Sequence, residues 1–177
     1  MAEQSKETKT ESVVKSVGLI VMTRIGPEKE LFAVLSRRGS RNQEKGWAPE
    51  SYPGACQVTA HGKLKPDEDS KEGLLREVQE ELGDVFRRCV MRHSIDALVE
   101  GQKVTYCVLV DSDALNFIRL HPSSGGLEFV KEDQIDDILD LSHFFTKAEG
   151  VDSLEIIAMF PDEIEALKLA FEKFNKR

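Results

Sequence analysis

What this chain of 177 residues lacks narrows its class first. No apolar run reaches the length of about 20 residues that crosses a bilayer, so no membrane association is expected. The opening MAEQSKETKTES has no apolar core of the kind a secretory signal carries. Residues 1–11 are therefore expected to form a flexible polar tail, and the protein to be cytoplasmic. Cysteine is scarce: Cys56, Cys89 and Cys107 are far apart and odd in number, which excludes a disulfide framework or a zinc pattern and points to buried free thiols. His61, His93, His121 and His143 are dispersed, none at metal-ligand spacing from another. Bases are outnumbered, 24 Lys and Arg against 32 Asp and Glu, for a net charge of −8. No basic stripe interleaved with aromatics occurs, which argues against a nucleic-acid polymer as ligand. A nucleotide stays open, because bound cations invert a local field. Repeats, low-complexity tracts and long linkers are also missing, so residues 12–177 are expected to form one domain.

The acidity is concentrated. Residues 67–84 hold eight acids (Asp67, Glu68, Asp69, Glu72, Glu77, Glu80, Glu81, Asp84) against two bases (Lys71, Arg76), a net of −6. Glu77, Glu80 and Glu81 stand at i, i+3 and i+4, so a helix carries them on one face. Leu74, Leu75, Val78 and Leu82 fall within roughly 100° on another side, at about 100° per residue. The pattern predicts a helix at 70–82, started by a cap among Asp67, Glu68, Asp69 and Ser70 and ended at Gly83. Gly73 inside it costs about 1 kcal/mol relative to alanine, which close packing of another element would explain. Like charges at this spacing repel, by about 0.2–0.5 kcal/mol per pair. Hard divalent cations would offset the repulsion, since magnesium and manganese prefer carboxylate oxygen. For a bare E-x-x-E-E, a solvated acidic face is the commoner explanation.

Elsewhere, Val13–Arg24 and Glu30–Arg37 predict a hairpin across the turn signal Ile25-Gly26-Pro27. Gly39–Pro53 is polar and is expected as a long loop. Ala55–Ala60 alternates and predicts a short strand running into His61-Gly62. A strand within Phe86–Val99 and another at Lys103–Val110 predict a second hairpin about Gly101. Pro122–Gly126 is a break, Leu127–Val130 a short strand and Glu132–Asp140 a stretch of helical spacing. Phe160–Lys176 predicts a terminal helix with Pro161 in its first turn. This order suits an α/β domain with a mixed sheet flanked by helices.

The spacing of the acidic segment carries a resemblance. Gly62, five residues, Glu68, seven residues, then Arg76-Glu77-Val78-Gln79-Glu80-Glu81-Leu82-Gly83 resembles the Nudix box, G-x5-E-x7-R-E-U-x-E-E-x-G-U, with U a bulky apolar residue. Eight of nine specified positions match, and Asp84 replaces the last apolar residue. The resemblance covers 23 residues and implies a Nudix-type α/β/α sandwich with a mixed β-sheet. It further implies a MutT-like hydrolase that binds Mg2+ or Mn2+ and cleaves the pyrophosphate linkage of a nucleoside diphosphate joined to another moiety by attack of water. On that basis Glu80 and Glu81 are the principal metal ligands, Glu77 completes the cluster and Gly62 adds a backbone carbonyl. Arg76 pairs with Glu68 or Glu77 and orients the cluster. The general base varies within the family; Glu128 is the downstream candidate, against the alternative of an exposed strand glutamate.

Phosphate-gripping candidates are Arg37, Arg38, Arg41 and Lys45, which equally suit a solvated basic loop. Trp47 and Tyr52 could stack on a base or simply pack the loop, and His61 adjoins the substrate or has a structural role. A homodimer is one open state, since family members often dimerise. Two other readings are weighed. Isopentenyl diphosphate isomerases of the same superfamily use a cysteine beside the box glycine, where this chain has His61. Non-catalytic nucleotide-binding domains typically lose box carboxylates, which are intact here.

Overall fold

In the computed structural model, residues 14–43 and 45–176 are described; the expected tail at 1–11 lies outside the described residues. The sequence SVGLIVMTRI forms the central strand, β1 (Ser16–Ile25), buried along most of its length. Alternation divides its side chains between the two faces of the sheet. Leu19 and Val21 point to one side, Ile20 and Met22 to the other. A tight turn leads to β2 (Glu30–Arg38), antiparallel to β1 with Val21 opposite Val34. The segment expected as a loop contains a small antiparallel pair, β3 (Arg41–Asn42) and β4 (Ala48–Pro49).

The single strand expected at Ala55–Ala60 is two. β5 (Cys56–Gln57) pairs with the end of β2, and β6 (Ala60–Lys63) pairs antiparallel with the start of β1. Thr59 sits where these strands part. Its hydroxyl accepts the Val21 N–H at 2.8 Å and donates to the Val34 carbonyl, so backbone groups left open by the divergence are satisfied. The chain then forms α1 (Ser70–Leu82) and α2 (Asp84–Val90). β7 (Asp96–Val99) and β8 (Lys103–Val110) follow as the second hairpin, and β8 runs parallel to β1 from Ser16–Lys103 to Thr23–Val110. β9 (Ser124–Val130) begins earlier than expected and pairs with the outer edge of β2. A 3-10 turn at Glu132–Asp137 replaces the helical stretch expected there. β10 (Leu139–Asp140) and β11 (Ala158–Met159) make a short parallel pair around α3 (Leu141–Phe144). The chain closes with α4 (Pro161–Asn175), started by proline in its first turn.

The seven-stranded mixed sheet is covered on both faces. α1 and α2 bury Leu74, Val78, Leu82, Phe86 and Val90 against Val17, Leu19, Val21 and Val34. α4 buries Leu167, Ala170, Phe171 and Phe174 against Ile20, Met22, Ala33 and Leu35 on the other face. Each large side chain so buried contributes about 1.5–3 kcal/mol. The architecture is the α/β/α sandwich with a mixed sheet that the sequence predicts. Among the described residues, no helix is long and apolar enough to cross a membrane.

Candidate functional site

α1 starts where Asp69 caps it, accepting the backbone N–H of Lys71 at 2.8 Å and of Glu72 at 3.3 Å. Its apolar stripe fixes its rotation on the sheet, which turns the glutamate stripe toward β6. Two glycines let helix and strand approach. A Cβ on Gly62 would overlap the Glu77 carboxylate, and one on Gly73 would overlap Leu64 Cδ2. The helical glycine thus has the packing reason its cost requires. Glu77 is nine-tenths buried beneath this contact.

Arg76 ties the segment together with every N–H of its guanidinium. Nε donates to Glu68 Oε1 at 2.8 Å and Nη2 to Glu68 Oε2 at 2.9 Å, a bidentate pair. Nη1 donates to Glu77 Oε1 at 2.6 Å and to Glu80 Oε2 at 3.3 Å, and Nη2 also reaches the Lys63 carbonyl at 3.0 Å. Sequence reasoning offered Glu68 or Glu77 as partner; the arginine takes both. These bonds, with the Lys65 N–H, hold the Glu68 carboxyl down at about 2 and push the Arg76 guanidinium up. Glu81 accepts the His61 backbone N–H at 3.0 Å. Burial, then the charges of Arg38 and Lys103, push the His61 imidazole down to about 4. It is neutral near pH 7, so its Nδ1, 3.6 Å from Glu81 Oε1, makes no ion pair there.

His61, Gly62, Arg76, Glu77, Glu80 and Glu81 border one cavity of about 740 Å³. Its remaining lining comes from β2 and β5 (Ser36, Arg37, Arg38, Gln57), from the loop with Asn42, Lys45 and Glu50, and from Lys63, His121, Ser123 and Ser124. The His121 segment is brought there by backbone bonds to the end of α1, Arg119 N–H to the Leu82 carbonyl and His121 N–H to the Glu81 carbonyl. Arg38 donates from Nη1 to the Ser51 carbonyl at 3.2 Å and lies 3.7 Å from Glu50 Oε1. Burial pushes the Glu50 carboxyl up, but the bonds from Asn42 and Ser51 and the Arg38 charge outweigh it and hold it below its ordinary range.

Of the residues expected at the substrate, some are engaged by the protein and some lie away from the cavity. Alternation along β2 turns Arg37 to the face opposite Ser36 and Arg38. Although Arg37 borders the cavity, all five of its N–H groups are engaged. Nε and Nη2 meet Glu128 Oε2 at 3.0 and 2.7 Å; Nη1 and Nη2 donate to the carbonyls of Gly54, Ile156 and Leu154. Glu128, opposite Leu35 in the β9 register, serves as that partner and does not border the cavity. Trp47 is half exposed and lies away from the cavity, and Tyr52 packs edge-on against Phe160 at 5.4 Å. Arg41 donates to the Trp47 carbonyl. Sequence reasoning missed Ser36, Gln57 and the His121 segment. Gln57 had a signal: with Thr59 it is the polar phase of the alternating Ala55–Ala60 run.

The donor set fits a hard divalent cation in its chemistry, since Glu77, Glu80 and Glu81 offer only carboxylate oxygen and Gly62 brings backbone within reach. Among the described residues, no three acidic, His or Cys side chains are already drawn together as a cage. Arg76 Nη1 stands between Glu77 and Glu80.

No protein-family model and no curated protein sequence matches the chain. Solved structures do. A MutT/Nudix family protein from Listeria innocua superposes with a TM-score of 0.58 at 16% identity, covering 95% of this chain and 97% of that one. One from Enterococcus faecalis gives 0.52 at 16% identity over 99% of this chain, which spans 66%, just under two thirds, of that longer protein. The Nudix domain of Shewanella oneidensis NrtR, solved with ADP-ribose, gives 0.50 at 14% identity over 97% and 94%. Layer order, mixed sheet and these superpositions agree: the fold of this chain is the MutT/Nudix fold.

Proposed function

We propose that the chain is a Nudix pyrophosphohydrolase, a metal-dependent enzyme that cleaves the diphosphate linkage of a nucleoside diphosphate joined to another moiety. One observation carries the reading. The intact box presents Glu77, Glu80 and Glu81 along one wall of a cavity whose other lining includes Arg38 and Lys45. Carboxylates suit a divalent cation and bases suit phosphate, and a diphosphate needs both.

Glu80 and Glu81 would be the principal ligands of Mg2+ or Mn2+, with Glu77 and the Gly62 carbonyl completing the set. A cation held there supplies Lewis acidity and lowers the pKa of bound water. The chain's own residues do the positioning. Arg76 holds Glu77 and Glu80 at fixed places on the wall, and the His61 N–H holds Glu81. Arg38 and Lys45 bring positive charge to the phosphates from the other lining. Arg37 and Glu128 are left out of the reacting set: they lock each other and the 154–156 segment in place. The isomerase reading loses its reactive thiol. Cys56 is buried on the α4 face, and burial pushes its thiol up to about 12.

The test is a product-resolved panel of nucleoside triphosphates, nucleotide sugars, dinucleotides and isopentenyl diphosphate with magnesium or manganese. Metal-dependent cleavage of one diphosphate class, abolished by chelator, is the expected result. Ligand-induced thermal stabilisation with no turnover on any member would instead support a binding domain.

A further inference from the structure

Among the described residues, two histidines border the cavity, and they differ at one atom. In a neutral imidazole one nitrogen carries the proton and the other a lone pair. His121 Nδ1 accepts the Ser123 N–H at 3.2 Å, so its lone pair is spent on the backbone and its Nε2 is a donor. His61 Nδ1 is buried and has no hydrogen-bond partner. The ring as a whole is 35% exposed, so it is Nδ1 in particular that is turned away from solvent. A buried polar atom left unmatched in a native structure calls for an explanation.

Glu81 supplies one. Its Oε2 accepts the backbone N–H of His61 at 3.0 Å, which fixes the carboxylate beside that residue. Its Oε1 then lies 3.6 Å from His61 Nδ1. The separation is too long for a hydrogen bond. It is within the span of two atoms that share an ion, since donors about 2.1 Å from one cation lie at most about 4.2 Å apart. Gly62, the next residue along β6, and Glu77 and Glu80 border the same cavity. The unmatched nitrogen therefore stands beside the oxygens that suit a cation.

We propose that His61 Nδ1 is a ligand of the cation that the box binds, sharing it with Glu81, so that the site joins one nitrogen to its carboxylate oxygens. The inference rests on the metal-dependent reading above and assigns a side chain at a position the box does not specify. Its consequence is selectivity between metals. Oxygen alone suits magnesium, whereas imidazole suits later first-row ions, and affinity for such sites rises from manganese to cobalt and beyond. The chain should hold Mn2+ over Mg2+ by a wider margin than its carboxylates alone would give.

The test uses the full chain with Mn2+ and no substrate, so it is read free of turnover. Electron spin-echo spectroscopy of the bound Mn2+ should show coupling to a directly bound nitrogen. Isotopic labelling of histidine nitrogen should change that coupling, which assigns it without any substitution. The coupling should vanish in His61→Gln and persist in His121→Gln. Competition titrations should show the ratio of Mn2+ to Mg2+ affinity falling about tenfold or more in His61→Gln. Bound Mn2+ without nitrogen coupling in the unsubstituted chain would overturn the proposal, as would coupling that survives His61→Gln. In either case, Mn2+ binding that Glu80→Gln and Glu81→Gln weaken would leave the metal-dependent reading standing. If Mn2+ does not bind, or binds both of those variants as it binds the wild type, that reading fails and this one falls with it.

Discussion

Arg76 and Arg38 border the same cavity and are used in opposite ways. Arg76 places every donor on the protein, binding Glu68, Glu77, Glu80 and the Lys63 carbonyl. Arg38 makes one hydrogen bond to the Ser51 carbonyl and leaves Nε unpartnered. The box wall is therefore a self-contained structure whose carboxylates are held in place before any ligand arrives, and such preorganisation is what charge-stabilising sites require. The wall of β2 and β5 leaves Arg38 Nε and Gln57 Oε1 without a partner. Arg37, one residue from Arg38, behaves like Arg76: it borders the cavity, but strand alternation turns its guanidinium to protein partners that take every N–H.

The widest break in this contrast comes from the box wall's carboxylates. Glu80→Gln and Glu81→Gln should each lower kcat by about a hundredfold or more on the substrate the panel identifies. Circular dichroism and Tm should stay near wild type, and near-normal turnover in both variants would remove these residues from the site. Gly62→Ala tests how tightly the same wall is built. Its methyl group must displace the Glu77 carboxylate, at about 1–3 kcal/mol in stability, with a fall in activity. An unaffected urea midpoint would mean the wall is looser than described. Arg37→Lys asks whether a saturated arginine is structural. Three ammonium hydrogens cannot replace five, so we expect a loss of about 2–3 kcal/mol, below the 3–5 typical of fully buried pairs because Glu128 is partly solvated. KM per folded molecule should hold steady; a rise would return Arg37 to the substrate.

The smallest expected effect is a pH dependence. The Glu68 carboxyl lies at about 2 in the folded chain against an ordinary 4.5. A depressed carboxyl contributes stability above the unfolded value, lost as pH falls from about 4.5 toward 2. The Tm gap between wild type and Glu68→Gln should shrink over that window, and a gap independent of pH would mean that Arg76 does not depend on the Glu68 charge.

The parts legible in the sequence are those with local causes. α1 falls at 70–82 as predicted, because its apolar period, its Asp69 cap and Gly83 all lie within one segment. α2 was hidden by the departure at Asp84. Instead of an apolar plug, this residue opens a new helix and pairs with Arg87 and Arg88, three and four residues on. The fates of Arg37 and Glu128 were illegible for a different reason. Their bond joins residues 91 apart, and it follows from the β2–β9 register, which no local pattern reveals. Gln57 lies between these cases: its alternation shows which face it takes, but only the sheet shows that a cavity lies there.

The position of β1 has a consequence for the order of assembly. The second half of its first edge pairs with β2 within a few residues and the first half with β6 about forty residues on, but its second edge waits for β8, with Thr23 bonding a carbonyl 87 residues later. Translation at 5–20 residues per second puts roughly 3–15 s between the pairing of β1 with β2 and the emergence of β8. Through that interval the most apolar strand of the chain has an unpaired side, and nascent chains stopped before Lys103 should be the ones that need a chaperone.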